Sequence, residues 1–148
     1  MLSYWHKART NSISAACRCG KQVLMMQILK SSEDYLETML MLKEKYGYIR
    51  SIDIAIHLGV TKPSVSYATK RLRESGYITM DKDGLISLTE SGLAIAQNMY
   101  TRHKVLSRFF ISLGVDEATA YDDACKIEHD ISEQTFAAIC RHMEEMEQ

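Results

Sequence analysis

Asp34 and Glu37, His103, and Cys125, Glu128 and His129 are six potential metal ligands spread over three segments of one chain. Asp34 and Glu37 stand three apart, and Cys125, Glu128 and His129 stand at i, i+3 and i+4. Each group therefore shares one face if its segment is helical. Imidazoles, carboxylates and one thiolate suit a borderline divalent transition ion such as Mn2+, Fe2+, Co2+ or Zn2+. They suit Ca2+ or Mg2+ poorly, because those ions prefer oxygen alone. Each piece also has a plainer explanation. Acids in a first helical turn serve the dipole, a lone helical His is satisfied locally, and an inward Cys is a small hydrophobe. Spacing alone leaves both readings open.

The elements that must carry these groups are legible from caps and periodicity. Ser31 or Ser32 can cap a first helix with Glu33 and Asp34 in its opening turn, an apolar face at Leu36, Met39, Leu40 and Leu42, and a stop at Gly47. Ser51 is read as the cap of a short second helix to Leu58, with Ile52, Ala55 and Ile56 inward. Gly59 then breaks it, Thr61 caps again, and Pro63 opens a third helix to about Ser75. Helix, tight Gly turn and helix make a helix-turn-helix. Two β-prone runs, Tyr77 to Met80 and Leu85 to Leu88, flank Asp81-Lys82-Asp83-Gly84 and predict a hairpin wing. Thr89, Asp116 and Ser132 then cap three further helices, to about Leu113, Asp130 and Met143. Their apolar stripes are too small a core alone and predict a homodimer.

The third helix is the expected reading element for double-stranded DNA. Thr61, Lys62, Ser64, Ser66, Tyr67, Lys70 and Arg71 line its outer face together with Arg73, while Val65, Ala68 and Leu72 turn inward. Hydroxyls near its start can meet base edges and phosphates, and the cations, with Lys82 on the wing, can neutralise the DNA backbone. An ordinary solvated helix would carry the same lysines and arginines. The capped helix before it and the hairpin after it favour DNA.

The bounds agree with a globular regulator. A chain of 148 residues, 46% hydrophobic and 25% charged, has the composition of an ordinary folded domain pair. Cys17, Cys19, Cys125 and Cys140 form no regular disulfide framework, which points to a reducing, cytoplasmic setting. The apolar run from Val23 to Leu29 is too short to span a bilayer, so no membrane partner is expected. Residues 1–30 carry five cations and no acid, whereas residues 116–148 carry ten acids against Lys126 and Arg141. Residues 1–27 are read as a poorly ordered extension or an upstream start, residues 28–89 as the winged helix-turn-helix domain, and residues 90–148 as a helical dimerisation and metal-binding domain. The fold class is thus mainly α.

Five motifs in order resemble the diphtheria-toxin-repressor and manganese-transport-regulator family. They are Ser32-Glu33-Asp34-Tyr35-Leu36-Glu37, the helix-turn-helix from Ser51 to Ser66, Leu88-Thr89-Glu90-Ser91-Gly92, Arg102-His103, and Gly114-Val115-Asp116-Glu117 followed by Cys125-Lys126-Ile127-Glu128-His129. The resemblance covers about residues 28–143. It implies a homodimeric repressor that binds Mn2+ or Fe2+, grips a palindromic operator and regulates metal-uptake genes, with Asp34, Glu37, His103, Cys125, Glu128 and His129 as ligands. Co2+ or Zn2+ would serve in vitro. It departs from both branches of the family. Manganese-sensing relatives carry a carboxylate where Cys125 stands, and iron-sensing relatives a methionine where Asp34 stands. Ser107 and Tyr121 fall where the iron branch has an ancillary site and are poor ligands, and no SH3-like third domain is expected.

Two other classes fit parts of the sequence. A winged-helix regulator sensing an oxidant or a small organic ligand would use Cys125 and Cys140 as a redox pair. A metalloenzyme would use the imidazoles and carboxylates to activate water. No nucleophile, phosphate loop or substrate-pocket signature accompanies them, and a six-ligand site leaves no open position, so no enzymatic activity is expected.

Overall fold

The computed structural model describes residues 30–146, and the expected extension at residues 1–27 lies outside the described residues. The chain forms α1 (Lys30–Tyr46), α2 (Ser51–Leu58), α3 (Lys62–Glu74), β1 (Ile78–Met80), β2 (Ile86–Leu88), α4 (Glu90–Ser112), α5 (Glu117–Ile127) and α6 (Glu133–Met146). Among the described residues no helix is long and apolar enough to cross a membrane. Two compact units divide at Tyr100 and Thr101, inside α4.

The first unit is a winged helix-turn-helix. Leu36, Met39, Leu40 and Leu42 on α1 are buried with Ile54, Val65, Leu72, Ile78 and Ile86 in one core. Gly59 ends α2 with φ 65°, a left-handed conformation that glycine adopts without penalty. Thr61 caps α3, its Oγ1 accepting from the Ser64 amide at 3.3 Å, with Pro63 in the first turn. The wing is antiparallel, pairing Ile78 with Leu88 and Met80 with Ile86. A backbone bridge between Arg50 and Leu85 ties the segment before α2 to it. The wing turn is held by Asp81, whose Oδ1 accepts from the amides of Asp83 and Leu85 at 2.9 Å.

Three local expectations are corrected. Ser51 lies inside α2, and the extended Arg50 precedes it with no side-chain cap. Ile54 rather than Ile52 or Ile56 turns inward. Ile56 is 74% exposed, because the short helix presents only Ile54 and Ala55 to the core. α5 stops at Ile127, with Glu128 as its C-cap, so His129 lies beyond the helix and the expected three-residue face is only partly helical.

The sequence boundary at residues 89 and 90 is where α4 begins, but the first compact unit continues into that helix. Ile95 and Ala96 belong to its core, and Gly92 lies against the wing so closely that a Cβ there would meet the Tyr77 carbonyl oxygen at 2.0 Å. Thr89 caps α4 through its Oγ1 and the Gly92 amide, and its hydroxyl donates to the Gly76 carbonyl at 2.8 Å. In the second unit Val105, Phe136 and Cys140 form a small core with Ile131 and Ile139. Asp116 caps α5 through the Thr119 amide, and Ser132 bonds the Thr135 amide at the start of α6.

Candidate metal centre and nucleic-acid interface

In the second unit α4 and the turn after α5 bring a histidine and a glutamate together. Glu128 is fully buried, and its Oε2 lies 2.8 Å from Nδ1 of His103. With the carboxylate accepting from Nδ1–H, a neutral ring keeps its lone pair on Nε2. The other carboxylate oxygen, Oε1, is buried with no hydrogen-bond partner among the described residues and lies 3.6 Å from His129 Nε2. A buried carboxylate oxygen with no donor is costly unless something positive meets it. Nitrogen and carboxylate oxygen around such an atom fit a divalent transition ion. A carboxylate that orients a ligating imidazole from its far nitrogen is the usual outer support of a metal site.

The remaining predicted ligands are carried by α5 and α1. Cys125 is exposed on the last turn of α5, and Cys140 is buried in the core. In the first unit Asp34 and Glu37 lie one helical turn apart on α1, Asp34 half-buried and Glu37 buried. Ser107 is buried and donates to the His103 carbonyl at 2.7 Å. Tyr121 stacks on His103, with centroids 5.9 Å apart and planes within 7°. Its hydroxyl donates to Glu117, and burial, followed by the Glu117 charge, pushes its pKa up to about 12. Tyr121 is therefore neutral in the metal-free chain.

The predicted DNA-contacting residues form one outer face. Thr61, Lys62, Ser64, Ser66, Tyr67, Lys70 and Arg71 on and before α3 are exposed, and so is Lys82 in the wing turn. The Arg71 guanidinium lies 5.7 Å from the centre of the Tyr67 ring and donates to its hydroxyl at 3.3 Å. A cavity of about 470 Å³ opens beside this pair, lined by Ser31, Ser32, Tyr35, Pro63, Ser64 and Ala68.

Two residues outside the predicted set stand out. Arg50 is an exposed cation between Tyr48, whose ring it overlies at 4.8 Å, and Asp53. Its place just before the first helix of the helix-turn-helix was the available signal. Arg102 is buried at the heart of the second unit, and only its pairing with His103 in sequence hinted at a role.

A winged helix-turn-helix with a basic outer face, joined to a helical unit that buries a carboxylate against imidazoles, defines a DNA-binding regulator of the metal-responsive class. Residues 27–86 match the N-terminal DNA-binding domain of iron-dependent repressors, and residues 89–148 match their metal-binding and dimerisation domain. The chain is 39% identical over 102 residues to the transcriptional regulator MntR of Bacillus pumilus, covering 69% of this chain and 71% of that protein. It is 34% identical over 117 residues to a helix-turn-helix regulator of Methanocaldococcus jannaschii, covering 78% and 94%. Among solved structures it resembles the metal-dependent regulator MtsR, with TM-score 0.71, 25% identity and coverage of 79% and 55%. A manganese-dependent repressor complexed with manganese gives TM-score 0.67, 28% identity and coverage of 73% and 50%. The chain spans about half the length of these solved chains. It belongs to the iron-dependent repressor family, which includes the MntR regulators: transcriptional repressors that bind DNA, dimerise and depend on metal, and are not enzymes.

Proposed function

We propose that this protein is a homodimeric repressor, acting in the cytoplasm, that binds a palindromic operator of metal-uptake genes when Mn2+ or Fe2+ is bound. The observation that carries the metal reading is Glu128, fully buried, with Oε2 on His103 and Oε1 without a hydrogen-bond partner among the described residues. In this reading His103, Glu128 and His129 act with Cys125 and with Asp34 and Glu37 as the ligands. A bound divalent ion supplies positive charge and coordination bonds that offset the repulsion between the carboxylates.

The chain's own residues supply the rest. Glu128 holds the His103 ring so that Nε2 remains a donor. Asp34 and Glu37 share a helix with Leu36 and Met39, which lie in one core with Val65 and Leu72 of α3. A ligand that constrains α1 therefore constrains the reading helix as well, since a close-packed core transmits displacement. Two α3 helices must lie near one DNA turn apart, about 34 Å, to enter successive major grooves. A coupling of about 1–3 kcal/mol between metal and operator gives a change of about 5- to 150-fold in affinity.

The test is operator binding by the purified full chain, on its own promoter region, across Mn2+, Fe2+, Co2+ and Zn2+ and in chelator. Binding with Mn2+ or Fe2+ and release by chelator is the expected result. Equal affinity in chelator and in metal would sink the proposal.

A further inference from the structure

Arg102 is a buried cation to which the family reading gives no task. Only 6% of it is exposed. Its Nη1 donates to the main-chain oxygens of Glu128 at 3.2 Å and Ile131 at 3.0 Å, and its Nη2 pairs with the Glu133 carboxylate. The guanidinium lies 4.9 Å from the centre of the Phe136 ring. One planar group thus spans the C-cap of α5, the turn after it, and the first turn of α6.

That turn carries the acid of the candidate site. It is short, it carries Glu128 and His129, and its own backbone bonds are those from the Asp130 and Ile131 amides to the Ile127 carbonyl, each at 3.0 Å. Glu128 caps the C-terminal end of α5, where carbonyls lack helical partners, and Ile131 lies in the turn before α6; Arg102 donates to the carbonyls of both. Burying an arginine costs several kcal/mol unless its donors are used, and here two carbonyls and a carboxylate use Nη1 and Nη2, while Nε has no hydrogen-bond partner among the described residues.

We infer that Arg102 is a positioning residue for the metal site: it fixes the main chain of the turn from Glu128 to Ile131, so that the Glu128 carboxylate reaches His103 before any ion binds. The inference deepens the proposed metal function and rests on it for its consequence, but the bracing itself is a property of the metal-free chain. Lysine cannot replace the guanidinium fork, because one ammonium cannot span both carbonyls and Glu133.

The experiment compares wild type, Arg102→Met, Arg102→Lys and Met143→Ala, the last removing a buried side chain near the far end of α6, away from the turn. In metal-free protein, amide exchange at Asp130 and Ile131 should speed up in Arg102→Met relative to the α5 and α6 interiors, partly in Arg102→Lys, and not selectively in Met143→Ala. Mn2+ titration should show Arg102→Met weakened by about 10- to 100-fold, the range for loss of an outer support. Met143→Ala should stay within about twofold at a matched loss of Tm. Unchanged exchange at Asp130 and Ile131 in Arg102→Met, or an equal Mn2+ loss in both variants, overturns the proposal. If wild type itself fails to bind Mn2+, the metal reading falls, while the exchange data still decide whether Arg102 braces the turn.

Discussion

Arg102 and His103 are consecutive residues of α4 and hold the same partner from two sides, Arg102 through the Glu128 carbonyl at 3.2 Å and His103 through Glu128 Oε2 at 2.8 Å. Both the main chain and the side chain of a buried acid are therefore fixed by one turn of helix. The arrangement is costly for Glu128 in the metal-free protein, because Oε1 has no hydrogen-bond partner among the described residues.

Glu128→Gln tests that balance. The amide keeps the shape and an oxygen for the His103 N–H, and removes a buried negative charge. The metal-free variant should be as stable as wild type or more so, while Mn2+ no longer raises Tm. In wild type, Mn2+ at 100 times its Kd should add about 2.7 kcal/mol. Calorimetric or optical melting with and without Mn2+ measures both. A variant that is still stabilised by Mn2+ as strongly as wild type rules Glu128 out as a ligand.

Lys70→Ala and Arg71→Ala address the DNA face. Both side chains are exposed on α3, so their removal should leave the fold and metal affinity intact and weaken operator binding. Taking away one cation that neutralises a phosphate should lower the slope of log K against log salt by about 0.9. Titrations at several salt concentrations read that slope directly. Unaltered slopes and affinities would mean that α3 does not face the phosphates.

Much of this arrangement was legible in the sequence. Thr61, Thr89, Asp116 and Ser132 act as helix caps where their side-chain chemistry suggested, and Gly59 and Gly84 occupy left-handed turns because the breaks in periodicity required them. The failures have local causes. α2 has eight residues, too few for periodicity to choose between Ile52, Ile54 and Ile56, and burial by α1 and α3 decided it. His129 and Glu128 were expected on one helical face with Cys125, but α5 ends at Ile127, just before Glu128. The importance of Glu128 comes from a bond 25 residues away in sequence, which spacing cannot reveal. Arg102 was visible only as half of a motif, since its partners are main-chain carbonyls.

Gly92→Ala is a sharp test of how α4 joins the wing. A Cβ there would meet the Tyr77 carbonyl oxygen at 2.0 Å and its carbon at 2.9 Å, and backbone cannot rotate away as a side chain can. Overpacking of this kind costs about 1–3 kcal/mol, and the closeness of the approach places it at the upper end. Urea denaturation should show a lower midpoint with an unchanged slope. A midpoint equal to wild type would mean that α4 and the wing separate readily.

His57 sets a pH dependence. Partial desolvation, followed by the positive charge of Lys45, holds the pKa of this exposed histidine below the ordinary value. The unfolded chain, with a pKa of about 6.5, then binds the proton more readily than the folded one. The contribution is complete above that value and is lost as pH falls through it. Between about pH 7 and pH 5 metal-free His57→Gln should lose less stability than wild type. Identical pH profiles would show that His57 titrates alike in both states.

Cys125 is where the proposed metal preference can be tested, because it places a thiol where manganese-sensing relatives are expected to carry a carboxylate. It is exposed on the last turn of α5, and Glu128 follows it one helical turn later. A thiolate is a softer donor than a carboxylate and favours Fe2+, Co2+ and Zn2+ over Mn2+, which sits at the weak end of the divalent series. Cys125→Glu should therefore shift activation towards Mn2+, and Cys125→Ala should weaken activation by every metal. Anaerobic operator-binding titrations of the three proteins with Mn2+, Fe2+ and Co2+ give midpoints that separate these outcomes. The exposed position also makes a non-ligand role testable in the same assay. If the metal ranking and midpoints do not move in either variant, Cys125 is not a ligand and the site is built from imidazole and carboxylate alone.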